Sequence, residues 1–377
     1  MKKSIYLDYN ATTPVDERVL KAMLPYFTEH FGNAASKTHE FGWQAEEAVN
    51  IARKQVAASI GCIDQEIIFT SGSTEALNMS IKGVFENYTS KGNHIITVKT
   101  EHKAVLDTCK HLESKGAVVT YLNVDPEGLM DLEELKAAIN DKTILVAVMY
   151  ANNETGVIQP IQEIANIVHQ HHSIFLCDAT QAIGKVQVGV MEDGIDLLCM
   201  SAHKLYGPKG VGALYVRRKN PRVSLIPLLE GGGHERGLRS GTLNVPGIVG
   251  LGKACEIATQ ELWENNTSIS KLRAFFEHQL LDFPGIRING STRHRLYNTS
   301  NICFSGIKAN VLLAQLKHVA VAMGSACTSA NTEPSHVLRA MGLSVDETHS
   351  SLRFSLGKYT TQEEIEHTLH LIKEIYK

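Results

Sequence analysis

Two residues stand in settings that suit one another chemically. Lys204 follows the apolar run Leu197-Leu198-Cys199-Met200 and precedes a second, Gly212 to Val216, which places its amine on a turn between two expected buried strands. Upstream, Ile174-Phe175-Leu176-Cys177-Asp178 is an apolar run that ends in a carboxylate, as suits an acid projected from the C-terminal end of a buried strand. A lone lysine between His203 and the Gly207-Pro208 turn would ordinarily be a solvated loop residue. A lysine able to form a Schiff base and an aspartate able to hold a pyridinium nitrogen are, together, the two protein groups that pyridoxal phosphate requires.

Further candidates sit where strands give way to helices. Glu66 to Thr70 reads as a strand running into Ser71-Gly72-Ser73-Thr74 and a helix through about Gly83, a turn whose exposed N–H groups suit a phosphate or, equally, a simple hydroxyl cap. His94 to Val98 leads to Thr100-Glu101-His102, and a histidine there can stack on a flat ring or shuttle a proton. Thr143 to Met149 ends in Asn152-Asn153-Glu154, where asparagine also serves turn geometry. Asn10 to Thr13 either line a site or cap a helix that Pro14 opens and Leu24 closes, and the cap is the simpler expectation. Glu230 to Thr242 is dense in glycine and reads as an ordered loop near a ligand or another subunit, with a loose linker as the alternative. Near the C-terminus, Ala322 to Pro334 surrounds Cys327 with small polar residues, so this thiol is expected on an exposed, mobile loop and the other six in apolar or helical settings.

Strands alternating with helices, and suspect side chains at strand ends, point to an α/β fold with a mostly parallel sheet and its site along one edge. From Trp43 to Ile60 apolar residues recur at helical spacing, and Thr361-Gln362-Glu363-Glu364 forms a capping box before the stripe Ile365, Leu369, Ile372 and Tyr376. We expect a large domain over residues 15–250 and a smaller α+β domain from 1–14 and 251–377. The 377 residues, 43% hydrophobic and 20% charged, can bury a core of that size. A net charge of −3 gives no footprint for nucleic acid, and the longest apolar run, Ile144 to Ala151, is too short to span a bilayer, so a cytoplasmic protein is expected. Seven cysteines without a paired spacing argue against a disulfide framework, and His169-Gln170-His171-His172 has no nearby acidic or cysteine partner in sequence, so no metal is expected in the isolated enzyme.

Taken together, these stretches resemble the cysteine desulfurases of the NifS/IscS type, pyridoxal-phosphate enzymes of fold type I, the aspartate-aminotransferase fold with a seven-stranded sheet. The resemblance rests on Tyr6 to Pro14, Thr70 to Glu75, Lys99 to Val105, Asn152 to Glu154, Asp178 to Gln181, His203-Lys204, Gly231 to Thr242 and Gly324-Ser325-Ala326-Cys327-Thr328-Ser329, the last similar to the family's first class with its long catalytic loop. It implies pyridoxal 5'-phosphate bound by Lys204 in a Schiff base, Asp178 on the pyridine nitrogen, His102 stacked on the ring and Gln181 on the phenolic oxygen. Ser73, Thr74, Ser201 and His203 would hold the phosphate, with Thr242 from the neighbouring subunit of a homodimer. Asn153 and Arg353 would orient the substrate carboxylate, for which a guanidinium fork is suited. Lys204 would move protons and Cys327 would attack the sulfur of L-cysteine, leaving L-alanine and an enzyme persulfide for sulfur-acceptor proteins such as an iron–sulfur scaffold, or for thio-cofactor and tRNA thiolation. Two departures stand out: Ala34 replaces a usual proline, and Lys377 directly follows the last amphipathic helix, where longer relatives continue into a segment that docks the scaffold. That docking mode, and with it an iron–sulfur ligand role for Cys327 at a scaffold interface, is therefore in question. A pyridoxal-phosphate lyase or aminotransferase with Cys327 as bystander, and a non-catalytic assembly platform, remain the competing readings.

Overall fold

The computed structural model describes residues 4–323 and 333–376. Its centre is a seven-stranded sheet in the spatial order Ile67–Thr70, Gly212–Val216, Leu197–Ser201, Ile174–Asp178, Thr143–Met149, His94–Val98, Val118–Leu122. Every pairing is parallel except the two made by Gly212–Val216. The inner strands are apolar throughout because both faces are covered. Alternate residues divide between two cores, Phe175 and Cys177 joining one and Ile174 and Leu176 the other. Each large side chain so buried contributes about 1.5–3 kcal/mol, which fixes the sheet as the rigid frame of the molecule.

The second unit is a three-stranded antiparallel sheet, Ser351–Ser355, Thr299–Phe304, Ile286–Ile288, packed on a core that includes Phe276, Phe304, Phe354, Ile365 and Leu369. The N-terminal residues join it: Ile5–Tyr6 pairs in parallel with Val319–Ala320, and Asp8 bridges to Ser355. The terminal helix Gln362–Ile375 starts with the expected capping box of Thr361 and Glu364. Between the two units runs one unbroken helix, Val245–Leu281, about 55 Å long at 1.5 Å per residue.

Local structure departs from the sequence expectations in two instructive places. The first helix is Glu17–Met23, capped by the Asp16 side chain, which accepts from Arg18 N at 2.8 Å, and Pro14 does not open it. Residues 10–14 are held by the lysine turn instead: Thr13 N donates to His203 O at 2.9 Å, and Tyr206 N donates to Thr13 Oγ1 at 2.9 Å. The helix after the Ser71–Thr74 turn runs from Ser73 to Asn87, straight through Gly83. A Cβ at Gly83 would lie 2.8 Å from Ile226 O, so the glycine there admits a neighbouring chain and does not end the helix.

Candidate functional site

The carboxyl ends of the parallel strands open on a cleft of about 570 Å³, within the range of small-molecule sites. Ser73 and Thr74 line it after the edge strand Ile67–Thr70, and Ser201, His203 and Lys204 at the end of Leu197–Ser201. Asp178 and Gln181 line it at the end of Ile174–Asp178, Asn153 after Thr143–Met149 and His102 after His94–Val98, and Arg353 enters from the smaller unit. Ten positions singled out in the sequence are thus brought together. Two are not: Thr242 is exposed and lies off this cleft, and Cys327 falls outside the described residues.

Lys204 ends a short 3₁₀ turn, Ala202–Lys204, directly after the strand Leu197–Ser201. Its Nζ donates to the carbonyls of Asn10 and Ala11, both at 2.7 Å. Asn10, Ala11 and Thr12 therefore wall the site, and the expectation that this segment serves mainly as a helix cap is corrected. Asn10 is itself fixed, its Nδ2 donating to Thr299 Oγ1 at 2.9 Å and to Asn153 O at 3.2 Å.

Asp178 closes its strand, and among the described residues its side-chain hydrogen bonds all fall on Oδ1, which accepts from Thr180 N at 3.0 Å and from the Thr180 hydroxyl. Oδ2 remains for a ligand. The Thr180 hydroxyl is also 2.6 Å from that of Ser73, tying the acid to the helix Ser73–Asn87. That helix begins at Gly72 without a side-chain cap, so its first N–H groups and the positive end of its dipole are left for an anion. Glycine is required twice here. Gly72 has φ +154°, and a Cβ on Gly212 would lie 2.5 Å from Met200 O and 2.7 Å from Gly72 Cα.

The electrostatics follow from burial. His203 is held down to about 4, chiefly by burial and then by the Lys204 and Lys209 charges, so it stays neutral near pH 7. Burial lowers His102 as well, against the opposing pull of Asp178. His102 Nδ1 accepts from Ala104 N at 3.1 Å, which leaves Nε2 to carry the proton of the neutral ring. Behind it Glu101 is fully enclosed, and burial with the nearby Asp178 charge pushes its carboxyl well above the usual range. Arg353 is 1% exposed, donates to Asn153 O at 2.8 Å and pairs with Asp8 at 2.7 Å, while its buried Nε has no partner among the described residues.

The Glu230–Thr242 stretch is not a loose linker. Glu235 is buried and forms a two-pronged ion pair with Arg53 at 2.6 and 2.7 Å, and it accepts from Phe69 N at 2.7 Å. Arg239 pairs with Glu75 at 2.8 Å. The loop is thereby pinned to the strand and helix that frame the Ser71–Thr74 turn. His169 also has an acidic partner that sequence proximity hid, Asp196 Oδ2 at 2.9 Å. The six described cysteines are unpaired thiols, five of them buried.

The sequence matches the family Aminotransferase class-V over residues 5–368. It is 54% identical to "Cysteine desulfurase IscS" of Haemophilus influenzae strain Rd over 375 residues, spanning 99% of this chain and 93% of that protein. The chain belongs to the cysteine desulfurases of the class-V aminotransferase family. The protein of the same name from Anaeromyxobacter sp. strain Fw109-5 is also 54% identical, again over 99% of this chain and 93% of its own length. Among solved structures, a NifS-like protein superposes with a TM-score of 0.92 at 40% identity, over 99% of both chains. SspA, solved in complex with cysteine, gives 0.84 at 37% identity over 95% of this chain and 100% of its own. The likeness extends to the whole α/β architecture, and enzymes of this family depend on pyridoxal phosphate. No described helix is long and apolar enough to cross a membrane.

Proposed function

We propose that this cleft holds pyridoxal 5'-phosphate on Lys204 and that the desulfurase takes sulfur from L-cysteine, giving L-alanine and a persulfide on Cys327. The observation that carries the reading is the meeting, in one cleft, of a lysine amine, a carboxylate with one oxygen uncommitted and an uncapped helix N-terminus. These are the complements of an aldehyde carbon, a pyridine nitrogen and a phosphate, so the residues present fit the group. Asp178 Oδ2 would hold the ring nitrogen, His102 would stack on the ring and Gln181 would meet the phenolic oxygen. Ser73, Thr74, Ser201 and His203 would hold the phosphate, and Thr242 would join them from the second subunit of a homodimer.

The bound group supplies an electron sink for the bond broken at the substrate's alpha carbon. This chain's own residues do the rest. Arg353, already oriented by Asp8 and Asn153, binds the substrate carboxylate together with Asn153. Lys204 takes the alpha proton and returns protons to carbon. The Cys327 thiolate attacks the substrate sulfur: an S–S bond forms as the carbon–sulfur bond breaks, its electron pair stays on carbon, and protonation there completes the methyl group of alanine. The persulfide sulfur then passes to acceptor proteins, for which an iron–sulfur scaffold or a thiolation enzyme is the expected class, in the cytoplasm. Residues 15–250 serve as the cofactor-binding unit and 1–14 with 251–377 as the unit that brings Arg353 and Cys327.

The purified protein, incubated with cysteine without reductant, tests this by the mass of the intact chain and of the peptide containing Cys327. A gain of one sulfur atom on that peptide together with released alanine is expected. Alanine or pyruvate formed without the adduct, or unchanged alanine formation by Cys327→Ala, would hand the site to a lyase or aminotransferase.

A further inference from the structure

Directly behind the cleft wall lies a second lysine that the reaction above does not use. Lys185 is buried, and its Nζ donates to Gln181 Oε1 at 2.9 Å and to Gln181 O at 3.1 Å. The contact is built into the backbone. After the strand Ile174–Asp178 the chain makes a helical turn, with Ile183 N donating to Ala179 O and Lys185 N to Ala182 O, which lays residue 185 over residue 181. Gln181 Nε2 donates to Asn10 O at 2.9 Å, the same carbonyl that Lys204 Nζ reaches at 2.7 Å. Lys185, Gln181, Asn10 and Lys204 thus form one chain of hydrogen bonds, and both lysines line a single small cavity of about 20 Å³.

An amide can turn end for end, and its surroundings decide which end points where. Here one end faces a group that only donates and the other a carbonyl that only accepts. A flipped Gln181 would set N–H groups against Lys185 Nζ and its oxygen against Asn10 O, losing two buried hydrogen bonds and creating two repulsions. We propose that Lys185 is a positioning residue that locks the Gln181 amide with its nitrogen toward Asn10 and the cleft. The second N–H of Gln181 is then held ready for an acceptor in the cleft, which on the reading above is the cofactor's phenolic oxygen, and the inference rests on that reading. The protonated amine suits the task, since an ammonium has donors only. Burial, with the Lys204 and Arg353 charges, brings Lys185 down to about 7, so the lock is complete below that pH, where the proton is held. The other charged groups around the small cavity are already paired, Lys358 with Asp16 and with Glu261 at 3.3 Å, and both acids with Arg18.

The test is the pH midpoint of the visible absorption band in the cofactor-loaded protein, measured for the parent, Lys185→Met, Gln181→Met and the double variant. A donor on the phenolic oxygen favours its anion, so losing that donor raises the midpoint. Lys185→Met is expected to raise it by about half to one pH unit, the size of one lost hydrogen bond, and to add nothing further in the Gln181→Met background. Lys185→Gln, whose amide keeps a donor within reach of Oε1, is expected at the parent midpoint, and it carries the comparison against Gln181→Met if Lys185→Met does not fold. An unmoved midpoint in folded Lys185→Met, an undiminished shift in the double variant, or a Lys185→Gln midpoint matching that of Gln181→Met would overturn the proposal. Absence of the band in the parent protein would instead overturn the cofactor reading itself.

Discussion

Replacing Glu235 with alanine leaves the Arg53 guanidinium buried without its partner. In the intact protein both residues are nearly inaccessible, at 6% and 7% exposure, and the carboxylate satisfies two guanidinium nitrogens and the amide of Phe69. Breaking such a pair from one side costs about 3–5 kcal/mol, because the remaining charge stays desolvated. The stranded Phe69 N–H adds about 1–3 kcal/mol. Two contacts are common to parent and variant and cancel from the difference: Arg53 donates to Ile67 O at 2.8 Å and stacks over the Phe69 ring at 4.5 Å. The expectation for Glu235→Ala is at least about 4 kcal/mol, the lower end of the two terms together. Urea unfolding of the cofactor-free protein should show it as a midpoint lowered by roughly 1.3 M if the dependence is about 3 kcal/mol per M. Two comparisons isolate the cause. Glu75→Ala breaks the more exposed pair with Arg239 and should cost about 1 kcal/mol or less. Arg53→Met with Glu235→Leu removes both charges and should recover most of the loss, short of the Phe69 amide. A cost below about 1 kcal/mol for Glu235→Ala, or a double variant no better than the single one, would refute the argument.

Gly212→Ala should separate the strand end from the Gly72 turn, since the new methyl would sit 2.5 Å from Met200 O; overpacking of this kind costs roughly 1–3 kcal/mol. Equilibrium dialysis should find pyridoxal phosphate affinity reduced in the variant, and parent-like affinity would contradict the close-approach role. Lys185 also predicts how stability varies with pH. Its folded-state value of about 7 lies below the ordinary 10.5, so between them the unfolded chain holds a proton that the folded chain lacks, and stability rises with pH across that window. Urea midpoints at pH 7, 8, 9 and 10 should therefore climb less in Lys185→Met than in the parent.

What could be read in advance was whatever depended on local order. Strand ends are local features, so Lys204, Asp178, His102 and Asn153 were found by asking which polar residues terminate apolar runs, and the parallel sheet then brought them to one edge. Asn10 and Ala11 were weighed as site lining but read first as a cap, because they act through backbone carbonyls, which any residue type can supply. Their partner Lys204 is distant in sequence, and no side-chain signal marks a carbonyl. Glu235 was hidden in the opposite way. Its glycine-rich surroundings carry the composition of a loose loop, and only the fold brings Arg53 to it. Pro14 misled because a proline can open a helix, while Thr13 is held by the lysine turn and leaves Asp16 to cap. His169 and Asp196 met for the same reason that the metal reading of the histidine tract had looked partnerless: the contact is made by packing, not by spacing.

The described chain stops and resumes beside residues that line the cleft. Ala322 exchanges backbone hydrogen bonds with Arg353 at 2.7 and 3.2 Å, while Ser335 donates to the buried Glu154 at 2.5 Å and His336 bonds Glu101 O at 2.9 Å. Both flanks of residues 324–332 are thus tied into the cleft wall, since Arg353, Glu154 and His336 all line it. On the proposed reading, a thiol carried on the same chain as the substrate site meets bound substrate at an effective concentration, so the encounter would not depend on how much enzyme is present. On the same reading an acceptor would bring its own nucleophile to the rim of the cleft, and traffic between partners would be decided by which surfaces can approach that rim.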